Sequence, residues 1–448
     1  MNTLSFIQSI KNRVVLLSLC FAVLFPFLAA SAFANAQSSF KLSTNVKLST
    51  LLEDDRYLGL RQDDATSALY ARIQEEVDWQ LNKNLKMNAF LEVFTAEERI
   101  PLDEEYAVKD KKSYVYLREL WVDYSGFGRY PGESLRFGAE RFRESSSLWW
   151  DREMVLARWN LESTLLNASA GIGKRTNALH SNEDFLSDDE SGRNHAFAFA
   201  DYQWRYQHWL GAKLHYSKRK EEPVSEQLEL TWFGLSAHNQ YNDLDKSPWQ
   251  YSAELIALRG SALSTDITGW AADVGIRRSF LSKNPVSVGV QFAYGSGGGD
   301  NVDDRTFYQT DLHTNRSRFA GTSSILSRFG EAAKAELSNI SIATVYASQK
   351  IQERWEWSIV FHDFKRVNEE RSVVLRGVAV TPETQGDQLG NEMDILFGYL
   401  GNPSRRERSW DSDFSVLLRA GYFKTGNAFA TLPNDGRYRA VIDIQKRF

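Results

Sequence analysis

The chain has 448 residues, of which 42% are hydrophobic, 25% charged and 13% aromatic. A mean hydropathy of −0.42 excludes a bundle of transmembrane helices, which needs repeated apolar runs of about 20 residues. The hydrophobic fraction excludes wholesale disorder, and a net charge of −5 argues against nucleic-acid binding.

Residues 1–34 read as a secretory leader. Lys11 and Arg13 precede an apolar stretch from Val14 to Leu28, and Ala32-Phe33-Ala34 forms a small-x-small cleavage site, with Ala34-Asn35-Ala36 next to it. The single cysteine, Cys20, lies inside the apolar stretch behind Leu19, too early for lipidation. Cleavage leaves a chain without cysteine, which rules out disulfide and thiolate–metal chemistry in an oxidising compartment. It also removes two basic residues and no acid, leaving 51 basic against 58 acidic side chains and a net charge of −7.

Beyond residue 38 the chain alternates with period two in segments of about ten residues. Phe40, Leu42, Val46 and Leu48 alternate with Lys41, Ser43, Asn45 and Lys47. Trp270, Ala272, Val274 and Ile276 alternate with Asp273, Gly275 and Arg277; Tyr438, Ala440, Ile442 and Ile444 alternate with Arg437, Arg439 and Asp443. Eighteen strands are predicted, near 39–50, 66–79, 83–95, 113–125, 133–143, 153–161, 163–173, 194–205, 208–218, 226–237, 249–258, 268–278, 285–295, 337–349, 353–365, 390–400, 411–423 and 437–448. One face of each is apolar and often ends in Trp or Tyr, as interfacial girdles require. The strand at 113–125 breaks parity, because Arg118 shares a face with Leu120 and Val122; a bulge or an interfacial position would reconcile it.

The connectors alternate in length. Those at 80–82, 126–132, 162, 206–207, 238–248, 279–284, 350–352 and 401–410 are short, whereas 96–112, 174–193, 296–336 and 366–389 are long and polar. Short turns at one end and long loops at the other are the pattern of a bacterial outer-membrane barrel, and an even strand count returns both ends of the sheet to one side. The fold class is therefore all-β: a single closed antiparallel transmembrane barrel over residues 35–448. Hydrocarbon tolerates no open sheet edge, so the first strand must pair with the last. Eighteen strands enclose more space than wall side chains fill, leaving an aqueous lumen.

No catalytic template is present: no HExxH, GxSxG, Walker loop or cysteine nucleophile, and the seven histidines lack ligand spacing. An enzyme in a barrel would need a nucleophile–base pair on the wall, and none is evident. Trp149 and Trp150 are expected in the outer aromatic girdle. Asp300, Asp303 and Asp304 are expected to be solvated loop acids. No cofactor and no metal are expected.

The informative constellation is cationic. Segment 305–336 exceeds a plain turn and carries Arg305, Arg316, Arg318 and Arg328, with Phe307, Phe319 and Phe329 to anchor it at the pore mouth. Alternation points Lys47, Arg72, Arg136, Lys213, Arg277, Arg419 and Arg439 inward. Rings of Arg and Lys select anions, and interleaved Asp201, Asp273 and Asp443 would pair with some of them and keep binding weak.

These residues resemble the alginate-export outer-membrane porins. The resemblance is carried by Phe137-Gly138-Ala139-Glu140-Arg141-Phe142-Arg143, Trp149-Trp150-Asp151, Gly295-Ser296-Gly297-Gly298-Gly299, Asn315-Arg316-Ser317-Arg318-Phe319, Arg328-Phe329-Gly330-Glu331-Ala332, Glu336-Leu337-Ser338-Asn339 and Arg439-Ala440-Val441-Ile442-Asp443. It implies a monomeric barrel passively exporting a polyuronate through an electropositive constriction, with Lys47, Arg136, Asp201, Lys213, Arg316, Arg318, Arg328, Arg439 and Asp443 at matching pore or loop positions. The chain departs from the family at Ala139-Glu140, where Arg-Gln is usual, and at Leu417, where a second arginine is common. The expected partners are an anionic polysaccharide, outer-membrane lipids and lipopolysaccharide, and proteins of a periplasmic export complex. Uptake of acidic oligosaccharides or small anions is the alternative.

Overall fold

A computed structural model describes residues 38–54, 65–102, 106–128, 130–182, 185–219, 227–239, 248–262, 264–280, 282–299, 303–352, 354–381, 386–401, 414–429 and 436–448. The leader, Cys20 and Asp300 lie outside the described residues. Among these residues eighteen long strands form the wall. They are β1 (Ser39–Glu53), β2 (Thr66–Asn82), β3 (Leu85–Leu102), β4 (Tyr106–Ser125), β5 (Glu133–Arg143), β6 (Asp151–Glu162), β7 (Leu166–Lys174), β8 (Arg193–Arg205) and β9 (His208–Arg219), followed by β10 (Leu228–His238), β11 (Trp249–Ala262), β12 (Thr265–Phe280) and β13 (Val286–Gly295). After a long insertion come β14 (Ile340–Ile351), β15 (Trp355–Arg366), β16 (Gln388–Leu400), β17 (Phe414–Thr425) and β18 (Gly436–Arg447). Each overlaps a predicted strand.

Every wall strand pairs antiparallel with its sequence neighbours, and β1 closes on β18 from Asn45↔Arg447 to Glu53↔Arg439. Closure leaves no edge to desolvate in hydrocarbon. Register carries one facing parity around the wall: Lys47 lies opposite Arg72, Arg72 opposite Phe94, and Asp443 opposite Ser49, all inward. The complementary face is exposed and apolar, for example Leu42, Ile172, Leu255, Val290 and Ile395. At the end with short connectors Tyr124, Phe127, Tyr130, Tyr202, Trp204, Tyr206, Trp249, Phe280, Trp355 and Phe448 are exposed, forming the girdle that the strand ends predicted.

Three local features of the wall have physical causes. The connector expected at 96–112 is a continuation of the β3–β4 ladder from Ala96↔Lys112 to Leu102↔Tyr106. A hairpin reaching into water needs no apolar face, so composition there resembles a loop. The parity break in β4 is a bulge: register shifts between Phe90 and Leu91 opposite Arg118, returning the guanidinium to the inside. There it meets Glu92 at 3.0 Å, and Glu153. Third, β4 and β5 pair only from Leu120↔Ala139 to Ser125↔Ser134. Above that point β4 is capped by the 175–192 connector, through a Tyr116↔His180 bridge and a 2.9 Å bond from Ser181 N–H to the Val115 carbonyl.

The lumen is not uniformly aqueous. Leu230, Trp232, Ile256, Leu258, Ile340 and Ile342 face inward, yet they are buried in one apolar cluster. The residues that cover them come from the long insertion between β13 and β14.

Candidate functional site

Segment 296–339 turns back from the top of the wall and descends inside it. Its aromatic anchors Phe307, Phe319 and Phe329 are buried as the sequence suggested, Phe329 completely. Its path is deeper than a pore mouth. Near the top the Asp151 N–H donates to the Leu312 carbonyl at 2.7 Å. Far below, Phe319 meets Tyr346 edge to face at 5.5 Å, Arg277 Nη1 donates to the Phe319 carbonyl at 3.2 Å, and Ser348 Oγ donates to the Ala320 carbonyl. From Gly295↔Ile340 to Ser287↔Ser348 the wall advances eight residues, about 26 Å of strand. The insertion therefore narrows most of the channel's height.

A second inward fold carries the Trp149-Trp150 pair. These tryptophans are 1% exposed, which overturns their expected place in the outer girdle. Trp150 packs on Phe142 and Phe197, and Trp149 Nε1 donates to Glu254. There the two rings cover the apolar underside of the insertion and are as well removed from water as they would be among lipid.

The charged side chains inside the wall make different contacts. Asp273 and Arg277 of the wall hold the insertion, Asp273 through Arg328 of the insertion itself. Lys213 bridges Glu144 at 2.9 Å and Glu254 at 2.7 Å. Arg328 Nε donates to Asp273 at 3.1 Å, and its Nη2 reaches the same carboxylate. All four are buried: Arg277 and the Arg328–Asp273 pair tie the insertion to the wall, and Lys213 ties Glu144 to Glu254. Lys47, Arg419, Arg439 and Asp443 form a network that reaches Glu331 of the insertion; Arg72 stacks on Phe94 and Arg136 on Trp121, Asp201 lies near Lys213 and Glu144, and Arg318 is half-buried on the insertion itself. Asp443 pairs with Lys47 and Arg419, each at 3.0 Å. Arg439 pairs with Glu53 at 2.8 Å and Glu331 at 3.4 Å, and Arg376 joins Glu53 at 2.7 Å. Arg136 bridges Asp123 at 2.9 Å and Glu140 at 2.8 Å. Glu140 also accepts from Arg158 Nη2 at 3.2 Å, so the departure from the family pattern at this position balances two arginines.

Two cations of the insertion combine exposure with the lack of an ion pair. Arg316 and Lys334, both on the insertion, are exposed to lumen water and have no carboxylate within 4 Å among the described residues. Enclosure, followed by the nearby Arg419 guanidinium, pushes Arg316 down to about 10. Enclosure and then Arg439 and Arg376 hold the Lys334 ammonium well below its ordinary range. Burial alone would raise Glu331, but Arg419, Arg439 and Arg316 overcome it and hold its carboxyl at about 2. The three shifts describe one crowded constellation of unlike charges with an excess of positive ones. Lys334, Arg376, Arg158 and Glu331 were not singled out by sequence reasoning. Lys334 sits two residues before Glu336-Leu337-Ser338-Asn339 in a run that reads as an unremarkable Ala-Ala-Lys-Ala, and its only signal was membership of the long loop.

Among the described residues one group resembles a metal site: His195, His215 and Asp311 bring ligand-type atoms within 4.8 Å of one another. His195 and His215 are diagonal neighbours on β8 and β9, a proximity invisible in their spacing. Trp150 Nε1 donates to His215 Nδ1 at 3.0 Å, which occupies that ring nitrogen, and Arg193 stands 3.7 Å from Asp311. Asp304, expected as a solvated loop acid, is buried and accepts from Thr306 N–H and Tyr308 Oη at 2.9 and 2.7 Å.

Comparison with known proteins agrees with this geometry. The alginate export family description matches residues 39–442. Alginate production protein AlgE of Pseudomonas aeruginosa is 32% identical over 75% of either chain, and that of Pseudomonas syringae pv. tomato is 30% identical, covering 94% of this chain and 97% of its own. Among solved structures, Pseudomonas aeruginosa OccK5 (OpdH) superposes with a TM-score of 0.56 at 10% identity, covering 92% of this chain and 98% of its own. The outer membrane protein OprD of the same organism gives 0.55 at 10% identity, over 93% and 95%. Those likenesses are of fold. Family match and closed apolar-faced barrel together locate the protein in the outer membrane of a Gram-negative bacterium, and the chain belongs to the alginate export family of porin-like β-barrels.

Proposed function

We propose that this protein is a passive conduit through which alginate or a related polyuronate leaves the periplasm. The observation that carries the reading is the exposure of Arg316 and Lys334 to lumen water beside the Lys47–Asp443–Arg419–Glu331–Arg439 network. Unpaired cations offer a sugar carboxylate a partner, and the adjoining acids compete for the same cations. Contacts are therefore many and individually weak, which is what passage needs. Arginine keeps its charge at every relevant pH and meets a carboxylate with a planar fork. Arg72, Arg136 and Arg158 continue the cationic face along the wall. Work for directed movement comes from the polymer gradient, and a single barrel suffices as the transporting unit.

In planar bilayers with a chloride gradient, the purified protein should be anion-selective despite its acidic whole. Polyuronate added to the periplasmic side should reduce current at low concentration through many weak contacts acting together, whereas a neutral glucan should not. A cation-selective protein that polyuronate fails to block would overturn the reading. Block by small acidic oligosaccharides alone would favour the uptake porin instead.

A further inference from the structure

We infer that Glu356 and the Glu392–Asp394 pair are the positioning residues that set the conduit's aperture, by gripping the inserted segment through consecutive backbone amides. The inference rests on the conduit reading for its consequence, though not for its geometry. Glu392, on β16, accepts from Ala332 N–H at 2.6 Å with one oxygen and from Ala333 N–H at 2.8 Å with the other. Asp394, two residues along the same face, accepts from Glu331 N–H at 3.1 Å. Its same oxygen lies 3.2 Å from His362 Nε2, whose Nδ1 is 2.8 Å from Thr344 Oγ1. Three successive amides thus point at two wall carboxylates. Deeper in the lumen Glu356, on β15, accepts from Ser323 and Ser324 N–H at 2.6 and 2.9 Å. The register Glu356↔Gly398 against His362↔Glu392 puts the two grips six residues apart, about 20 Å of strand. All three acids are buried.

The chain has made room for the upper grip from both sides. Gly330 has φ +90°, and a Cβ there would lie 2.4 Å from Glu392 Oε2. On the wall, a Cβ at Gly421 would lie 2.6 Å from both Asp394 Oδ1 and Glu392 Oε1, and 2.8 Å from Ala332 N. The grips bracket the functional cations. Lys334 follows the upper one directly, and Arg316 is bridged to Ser327 between the two. Each of these buried amides would cost the full desolvation of an unmet donor without its acceptor, so the grip opposes any movement that leaves the oxygens behind. A segment held this way stays rigid while its opposite face remains wet.

The test uses the full-length barrel carrying Glu356→Ala, Glu392→Ala with Asp394→Ala, or both. Ser324→Cys is added as a reporter, which is unambiguous because Cys20 is the sequence's one other cysteine and lies in the leader. Release of the tip should raise single-channel conductance about threefold as the insertion leaves the lumen, and move the anion-to-cation ratio toward one. It should also speed maleimide labelling at position 324 roughly tenfold over the same reporter in the otherwise unaltered barrel. Heat-modifiable migration, which reports the closed wall, should persist. A Glu392→Gln variant keeps one acceptor and should fall between. Unchanged conductance and labelling in the triple variant would overturn the inference and assign the loop's position to its aromatic anchors. Faster labelling and higher conductance in a protein that polyuronate never blocks would keep the grips and overturn the conduit.

Discussion

Replacing Arg316 and Lys334 together by glutamate isolates the charge that the insertion adds to the pore. The constellation contains six cations (Lys47, Arg316, Lys334, Arg376, Arg419, Arg439) and three anions (Glu53, Glu331, Asp443), a local charge of +3. Double reversal changes this by four, to −1. A unit charge about 7 Å from a permeating ion contributes about 0.6 kcal/mol in water and about half of that after screening at 0.1 M salt. Attraction of the anion and repulsion of the cation act together, so each charge shifts the anion-to-cation ratio about threefold. The native ratio should then be about 20, and the reversed one about 0.4. Reversal potentials in a chloride gradient at about pH 6, below the lowered Lys334 value this test assumes, measure both. Neither residue bears on the wall, so heat-modifiability should be unchanged. If the two proteins agree within about twofold, the lumen's field is not set by this constellation.

Val290→Arg places a guanidinium on the lipid face of β13 and should cost roughly 2–4 kcal/mol in refolding titrations, because the mid-strand position is exposed and outward. Arg328→Ala leaves Asp273 buried without its guanidinium and should lower stability by about 3 kcal/mol while leaving the charge of the open path unchanged, so denaturation midpoint and selectivity separate the pins from the lining. Anion preference should fall as pH rises through the lowered Lys334 value; Lys334→Arg should flatten that slope in reversal potentials taken well below about pH 10, where Arg316 keeps its charge. Glu331 sits at 4.5 when free and about 2 when folded, so its share of the docking energy is complete above about pH 4.5 and is lost as pH falls toward 2. Single-channel conductance should therefore rise on acidification through that window as the insertion loosens, and less so in Glu331→Gln.

The wall was legible because its physics is local and repetitive. A strand in hydrocarbon must show lipid an apolar residue at every second position, and a closed sheet forces each neighbour to share that parity. Eighteen ranges follow from alternation alone, and even the Arg118 exception announced itself as a break in parity. The lumen obeys no such rule. Whether Arg328 lines a path or pins a loop depends on which acid, 55 residues away in sequence, lies beneath it, and no periodicity encodes that. Trp149 and Trp150 carry the composition of a girdle and serve as the floor of an internal core, because an apolar side chain is equally content with lipid or with Phe142 and Phe197. The acids gripping the insertion were hidden for the opposite reason. Glu392 and Asp394 occupy inward positions where any polar residue satisfies the alternation, so the pattern is indifferent to their identity. What distinguishes them is that their partners are backbone amides, which every residue possesses and no sequence advertises. Only the glycines leave a trace: Gly330 and Gly421 sit on opposite sides of one carboxylate pair, at positions where a methyl group would collide with it. A membrane pore therefore separates into a wall dictated by its solvent and a constriction dictated by pairwise contacts, and function resides in the part that alternation does not reach.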